Sequence, residues 1–234
     1  MAQHVRVDLP VLLLYLGSAA MACRKAPEPV IPVGARPATL AEVAPWVSAT
    51  VPAAHQVYRF KWLLRDERGS AGGHGAVRVA PPDSLRFDVA GPFGSGGASA
   101  VVVGDRALWT DPADAIARLV PNYPLMWAMF GVARMPPESV SVRALSTSST
   151  QAWQFAGARD TVEYARSAGD DGRLVAEVRQ AGTLIGHAET TLGPDGAPLK
   201  ARLTVPSGPA QLDITFLSIT RDTFAPDIWI TRKP

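Results

Sequence analysis

The stretch VYRFKWLLR, residues 57–65, places a large apolar side chain at every second position. Tyr58, Phe60, Trp62 and Leu64 fall on one side of an extended chain, and the positions between them carry three basic residues and a leucine. Successive side chains of a β-strand point to opposite faces of the sheet. The pattern therefore predicts a strand with one buried face and one exposed face.

The same two-residue period recurs along most of the chain. It is found at 77–79, 85–89, 153–155, 174–179, 199–205 and 211–216. Turn-forming sequences lie between these runs, at 66–70, 81–84, 168–172, 193–196 and 206–209. We therefore predict a mainly β protein with a single curled antiparallel sheet, an open or incomplete β-barrel, of about a dozen strands in meander order. One domain is predicted to span 39–234.

Short helices are predicted to form a lid over one face of this sheet. Thr39-Leu40-Ala41-Glu42 matches a capping box, and Pro45 should keep the helix that follows short or kinked. A second helix is predicted from Asp111 and a third from Pro124 to Gly131. The third, with the sequence LMWAMFG at 125–131, has almost no polar side and is rich in methionine. It either fills the core or binds an apolar ligand.

Composition excludes several classes of protein. Apolar residues make up 47% and charged residues 19% of the 234 residues, which is typical of a globular chain. The formal net charge of +2 argues against a nucleic-acid partner, which normally requires a concentrated basic face. The single cysteine, Cys23, excludes an internal disulfide and a cysteine-based zinc site.

The sequence carries no positive sign of catalysis or of a cofactor. Its four histidines have no short metal-ligand spacing, so no metal site is predicted. The run GPFGSGGAS at 91–99 is neither a phosphate-binding loop nor a dinucleotide fingerprint, and no Gly-x-Ser-x-Gly elbow occurs. We predict a protein that is not an enzyme and needs no cofactor.

Residues 1–22 are predicted to be a signal peptide. Arg6 precedes an apolar run of 14 residues, 9–22, which is shorter than the roughly 20 residues of a membrane-spanning helix. The run leads to Ala20-Met21-Ala22-Cys23, which resembles the lipobox of bacterial lipoproteins, although leucine is usual at Ala20 and a small residue at Met21. The resemblance implies that Cys23 carries acyl chains such as palmitate. Ordinary signal cleavage after Ala22 is the alternative, since Ala-x-Ala fits that enzyme too.

A lipidated Cys23 would tether the protein to a membrane. The following segment, 23–38, contains four prolines and is predicted to be an extended tether. Arg24 stands where aspartate would favour retention in the inner membrane, so the resemblance implies the outer membrane, with the domain facing the periplasm.

The order of features along the chain matches a known pattern. A lipobox cysteine is followed by a short helix and by strands that lead into Gly91-Pro92-Phe93-Gly94. Asp111-Pro112-Ala113-Asp114-Ala115-Ile116 comes next, and then the helix around Trp127, which closes at Met135-Pro136. This order, best over 55–137, resembles the LolA/LolB-like family of outer-membrane lipoprotein proteins, and its LolB-type receptors most of all. The resemblance implies an open β-barrel with a helical lid over an apolar cavity that holds the acyl chains of lipoproteins.

The resemblance also implies functional residues. Phe93 matches a protruding apolar side chain of the family and is predicted to contact the membrane, with a plain hairpin turn as the alternative. The residues predicted to line the apolar cavity or lid are Trp62, Trp109, Leu125, Met126, Trp127, Met129, Phe130 and Met135, for each of which ordinary core packing is the alternative.

The predicted partners are the membrane, through the N-terminal lipid anchor, and acylated lipoproteins, together with a periplasmic carrier. No nucleic acid is predicted as a partner, and the chain is predicted to be a monomer. The alternative function is a structural or interaction lipoprotein of the envelope, whose barrel is filled by its own side chains and holds no ligand.

Overall fold

The structure is a computed structural model that describes residues 30–31, 34–91, 96–112, 122–136, 141–167 and 172–230. Cys23 and the predicted signal peptide lie outside these residues, as do Phe93 and the helix predicted beyond Pro112. The described residues are mainly β, as predicted. None of their helices is long and apolar enough to cross a bilayer.

Thirteen strands of the described residues form one sheet. Their bounds are β1 Arg36–Ala38, β2 Gln56–Asp66, β3 Gly69–Ala80, β4 Ser84–Ala90, β5 Gly97–Val103, β6 Arg106–Asp111, β7 Ser141–Ser146, β8 Thr150–Ala156, β9 Asp160–Ser167, β10 Arg173–Gln180, β11 Thr183–Leu192, β12 Pro198–Val205 and β13 Ala210–Arg221. The described helices are α1 Leu40–Ser48 and α2 Tyr123–Ala128, and a 3₁₀ turn spans Pro226–Trp229.

The sheet consists of two meanders joined side by side. The strand order is β1-β7-β8-β9-β10-β11-β12-β13-β2-β3-β4-β5-β6, so the two meanders meet where β13 pairs with β2. Neighbouring strands are antiparallel throughout, and the outermost strands, β1 and β6, do not pair with each other. The predicted open antiparallel sheet is therefore confirmed. Strand β1 brings Arg36–Ala38 into the sheet, three residues before the predicted start of the domain.

Helix α1 begins directly after Thr39, the N-terminal residue of the capping box predicted from the sequence. Thr39 Oγ1 accepts a hydrogen bond from the Glu42 N–H at 3.2 Å, which satisfies one free donor of the first turn. Val43 and Val47 are buried, while Leu40 is exposed. Pro45 lies inside this nine-residue helix, which is short, as expected.

The two faces of the sheet differ in character. The inner face, defined here as the face that carries Tyr58 and Phe60, holds the main apolar core. Gly75 lies opposite Phe60 in the β2–β3 ladder, and an added Cβ at Gly75 would lie 2.5 Å from the Phe60 ring. The glycine therefore makes room for the ring. The opposite, outer face carries most of the charged residues of the strands.

Candidate functional site

Helix α2 begins and ends where its sequence requires. Asn122 precedes it in an extended conformation, and Pro124 stands in its first turn, where a missing N–H removes no helical hydrogen bond. After the helix the chain turns at Gly131, whose φ of 79° favours glycine. The Val132 N–H then donates to the Trp127 carbonyl at 3.1 Å. Gly131 thus ends the helical segment, as predicted.

The side chains at 125–130, which we call the plug, fill the interior of the sheet. Leu125, Met126, Trp127, Met129 and Phe130 are each at most 2% exposed. The aromatic partners of the Phe130 ring, all at centroid distances of 6.1–6.2 Å, are Tyr58, Phe60, Phe87 and Phe216. The structure thus brings five of the predicted lid residues together inside the sheet, in contact with its inner face.

Strand β11 is shaped to receive the plug. The middle of its inner face carries only the small side chains of Gly186, Ala188 and Thr190. An added Cβ at Gly186 would lie 2.5 Å from Leu125 Cδ1, so this position must lack a side chain for the helix to fit. Thr190 Oγ1 donates to the Ala128 carbonyl at 2.7 Å and fixes the end of the helix. The apolar volume over this strand is therefore supplied by the plug.

Polar contacts at one end of the plug hold it in place. Trp127 Nε1 donates to the Gly104 carbonyl at 2.9 Å, and the Arg134 guanidinium lies over the Trp127 ring at 5.1 Å. Arg134 Nη1 also donates to the Pro82 carbonyl at 2.9 Å. These contacts link the plug to the β3–β4 and β5–β6 turns.

The chain after the plug is anchored by a buried tyrosine. The Tyr164 hydroxyl accepts from the Arg134 N–H at 3.0 Å and donates to the Arg134 carbonyl at 3.1 Å. Burial raises the pKa of Tyr164, although the hydrogen bond from Arg134 opposes this change. The hydroxyl therefore stays protonated and able to donate at physiological pH.

An open cleft of about 740 Å³ lies beside this segment. Its walls are the β5–β6 turn at Asp105, the start of α2, the stretch 134–136 and the β8–β9 turn at 157–160. Met135, a predicted lid residue, is 41% exposed and lines the cleft together with the apolar side chains of Phe155 and Val162. The volume of the cleft falls in the range of small-molecule sites, about 300–1,000 Å³.

The two remaining predicted cavity residues lie apart from the plug. Trp62 is on the inner face, half-buried, and its Nε1 donates to the carbonyls of His74 and Ala90, each at 3.2 Å. Trp109 lies on the outer face, and its Nε1 donates to the Trp229 carbonyl at 2.9 Å. Its predicted place in the cavity is therefore corrected to the opposite side of the sheet.

A β-bulge explains the position of Trp109. In the β5–β6 ladder Val102 pairs with Ala107 but Val101 pairs with Trp109, so Leu108 has no partner. One extra residue reverses the side to which the following residues point. Strict alternation from Ala107 would instead place Trp109 on the inner face.

The segment after the last strand packs on the sheet without having been predicted from the sequence. Residues 222–230 bring Phe224, Ile228 and Trp229 against the outer face, and Arg86 Nη1 donates to the Ile228 carbonyl at 2.5 Å. The apolar residues in FAPDIW, 224–229, were the available signal, but they lack the period of a strand or a helix. Among the described residues, no group of three or more His, Cys, Asp or Glu side chains could hold a metal ion.

Comparison with known proteins identifies the fold. No protein-family model and no curated protein matches the sequence. Among solved structures, a LolA superfamily protein from Nitrosomonas europaea matches 82% of this chain and 97% of its own, with 10% identity and a TM-score of 0.51. The hypothetical lipoprotein YmcC from Escherichia coli matches 77% of this chain and 98% of its own, with 14% identity and a TM-score of 0.32. The chain has the LolA/LolB-like fold predicted from its sequence.

Proposed function

We propose that this protein is a lipid-anchored envelope protein that binds the acyl chains of lipoproteins, or of another lipid-like ligand, and assists their localisation to the outer membrane. The observation that carries the proposal is the plug, an all-apolar, methionine-bearing segment that lies on the small side chains of β11. In this proposal the protein binds and transfers its ligand and catalyses no reaction.

An acyl chain could take the place of the plug on β11. If the plug moves away, an apolar groove opens along β11, because the side chains of Gly186 and Ala188 are too small to fill the space. An acyl chain that enters this groove gains about 0.8 kcal/mol for each CH₂ removed from water. The flexible side chains of Met126 and Met129 can repack around a chain of variable length.

The cleft beside Met135 offers the route to this groove. It opens to solvent next to the chain that leaves the plug, and Phe155 and Val162 continue its apolar wall toward the core. We expect a ligand to contact Met135 first and then to displace Leu125 and Met126 from β11. Arg134, stacked on Trp127, would then act as the hinge between cleft and plug.

The remaining parts of the proposal rest on the sequence. Cys23 would be the acylated anchor in the outer membrane, with the domain facing the periplasm, and Phe93 would contact the membrane during transfer. A periplasmic carrier would bring acylated lipoproteins to the protein.

A second function is favoured by the complete burial of the plug. Its five large side chains already fill the inner face, as a permanent core would. The protein would then be a structural or interaction lipoprotein with a self-filled barrel. The two functions differ in whether the plug can leave.

A cysteine clamp tests this difference. Leu125 contacts the site of an added Gly186 side chain, so Leu125→Cys with Gly186→Cys places two thiols close enough for a disulfide. The pair is made in a Cys23→Ser background, which removes the chain's own thiol. A fluorescent fatty acid is then titrated into the purified protein, oxidised and reduced.

We expect saturable binding at micromolar concentrations in the reduced clamp and at least tenfold weaker binding in the oxidised one. The single variant Leu125→Cys is the matched control and should bind equally with and without reductant. No saturable binding in the Cys23→Ser protein would support the self-filled barrel. Equal binding by oxidised and reduced clamp would show that the ligand does not replace the plug.

The role in localisation requires a separate measurement in the host. Depletion of the protein should leave outer-membrane lipoproteins in the wrong membrane, as measured by membrane fractionation. Correct placement after depletion would reject this role while leaving acyl binding intact.

A further inference from the structure

A row of exposed basic side chains crosses the outer face of the sheet. Lys61 of β2 and Lys200 of β12 both pair with Thr215 of β13, which lies between them. Neighbouring strands are about 4.8 Å apart, so the two lysines stand about 10 Å from each other. Arg59 lies two residues before Lys61, on the same face. All three cations are exposed, and within the described part of the chain none forms an ion pair.

The acidic residues beside this row are already neutralised. Asp213 accepts from Arg65 at 2.6 Å and from Arg202 at 2.7 Å, so one carboxylate faces two guanidinium groups. Glu189 pairs with Arg173 at 3.0 Å. The region around Lys61 and Lys200 therefore carries a surplus of positive charge.

Two exposed leucines adjoin the basic row. Leu199 is 50% and Leu217 is 54% exposed. Each is skipped in a strand ladder: β11 pairs with Pro198 and Lys200, and β2 pairs with Phe216 and Ser218. Because Leu199 precedes Lys200 and Leu217 follows Thr215 in antiparallel strands, both leucines lie at the same end of the β12–β13 ladder. The bulges thus place two apolar side chains together next to three cations.

We propose that this basic row and its two leucines dock the outer face of the sheet on an anionic membrane surface. Each basic side chain near such a surface increases binding by roughly fivefold, and leucines can enter the boundary between headgroups and acyl chains. An acidic protein or a nucleic acid would use the cations alone and would leave Leu199 and Leu217 in water. The docking is independent of acyl binding, because it uses the face opposite the plug.

Vesicle binding by the full chain with Cys23→Ser tests the docking, since no lipid anchor can then form. Vesicles of phosphatidylcholine are compared with vesicles that also contain phosphatidylglycerol. We expect the protein to sediment preferentially with the anionic vesicles and to lose this preference when the salt concentration is raised, because salt screens exposed charges. Every variant carries the same first 29 residues, so their contribution cancels in the comparison.

Two sets of variants locate the surface. Lys61→Gln with Lys200→Gln should weaken binding to anionic vesicles by about 25-fold, at about fivefold for each cation. Arg68→Gln with Arg106→Gln makes the same change of net charge at exposed positions elsewhere and should weaken it by less than threefold. Leu199→Ser with Leu217→Ser should weaken binding to anionic vesicles even at high salt.

The proposal is overturned by any of three results. These are no preference for anionic vesicles, an equal loss in the two charge-neutralised proteins, or full binding by the leucine variant. Acyl binding measured on the same proteins distinguishes the two proposals, because Lys61→Gln with Lys200→Gln should bind the fluorescent fatty acid as well as the parent protein does.

Discussion

The inner and outer faces of the sheet are both partly buried, but by different kinds of contact. On the inner face the ring of Phe130 packs among four aromatic rings and forms no hydrogen bond. On the outer face Arg86, 1% exposed, donates to Asp88 and to the Ile228 carbonyl, and its guanidinium lies 5.4 Å from the Trp109 ring. Apolar burial is non-directional, which is why we propose that an acyl chain can replace the plug, whereas hydrogen bonds favour one arrangement.

The two faces therefore hold the segments that cover them in different ways. The outer face fixes the position of the C-terminal segment through Arg86 and Trp109, each of which donates to one of its carbonyls. The inner face holds the plug through shape, with Thr190 and Gly104 as its hydrogen-bond partners. The plug, which we propose to move, also forms two hydrogen bonds, but its other contacts with the sheet are mainly apolar.

The largest effect is expected on the inner face, from Phe130→Ala. The change removes a ring that is 2% exposed and contacts four other rings, so we expect a loss of about 3–5 kcal/mol in the free energy of unfolding. Denaturant-induced unfolding measures the loss. Leu108→Ala, at a 56% exposed position, is the control and should change stability by less than about 0.5 kcal/mol.

The same variant also tests whether a ligand can take the place of the plug. If the plug occupies a site for acyl chains, a fatty acid should restore part of the stability that Phe130→Ala loses, because the ligand binds only the folded protein. A loss below about 1 kcal/mol would contradict tight packing of the plug. A full loss that no fatty acid restores would favour a permanent core.

Much of the inner face could be predicted from local sequence. The alternation at 57–65 predicts the face of the sheet on which each side chain lies. Thr39 marks the start of one helical segment, and Gly131 marks the end of another. These features depend on backbone geometry within a few residues, so they survive in any tertiary context. The apolar sequence of α2 likewise restricted it to a buried place, although the choice between lid and plug needed the structure.

The outer face was harder to predict because its contacts join distant parts of the chain. The bulge at Leu108 moves the side chain of Trp109 to the outer face of the sheet, and no local sequence pattern predicts this bulge. The pairing of β13 with β2 and the docking of 222–230 both bring together residues far apart in sequence. Such pairings depend on the arrangement of the whole sheet, and the alternation within one strand does not predict which strands become neighbours.

A smaller effect of opposite sign is expected on the outer face, from Glu163→Gln. Glu163 is 3% exposed and lies directly opposite Glu177 in the β9–β10 ladder. Its Oε1 accepts from Gln154 at 2.5 Å, while its Oε2 has no hydrogen-bond partner in the described structure. A glutamine removes the repulsion between two facing carboxylates and can donate to Glu177. We expect a gain of about 1 kcal/mol in the free energy of unfolding.

Denaturant-induced unfolding at neutral pH checks this gain. The matched control is Glu189→Gln, which removes a carboxylate that pairs with Arg173 on the same face and is far more exposed. This control should lose about 0.5 kcal/mol or less. A loss of stability in Glu163→Gln would contradict this expectation and would show that the carboxylates of Glu163 and Glu177 both stabilise the fold.

The smallest effect is expected from Asp213→Asn, and it depends on pH. Burial alone would raise the pKa of Asp213, but hydrogen bonds from Arg202, Gln211 and Arg65 together lower it below 3.8. Because the folded protein binds this proton less tightly than the unfolded chain does, Asp213 stabilises the fold above about pH 4 and loses this contribution as the pH falls. At pH 7 we expect Asp213→Asn to cost less than about 1 kcal/mol, since the pair is partly exposed.

Urea unfolding at pH 7 and at pH 2.5 measures this change. The difference between Asp213→Asn and the parent protein should be larger at pH 7 than at pH 2.5, because protonation of the aspartate removes its ion pairs as the pH falls. Arg202→Gln is the matched variant on the other side of the ion pair, and adding it to Asp213→Asn should cost less than it does alone. A difference that is equal at both pH values would mean that Asp213 acts through its shape and not through its charge.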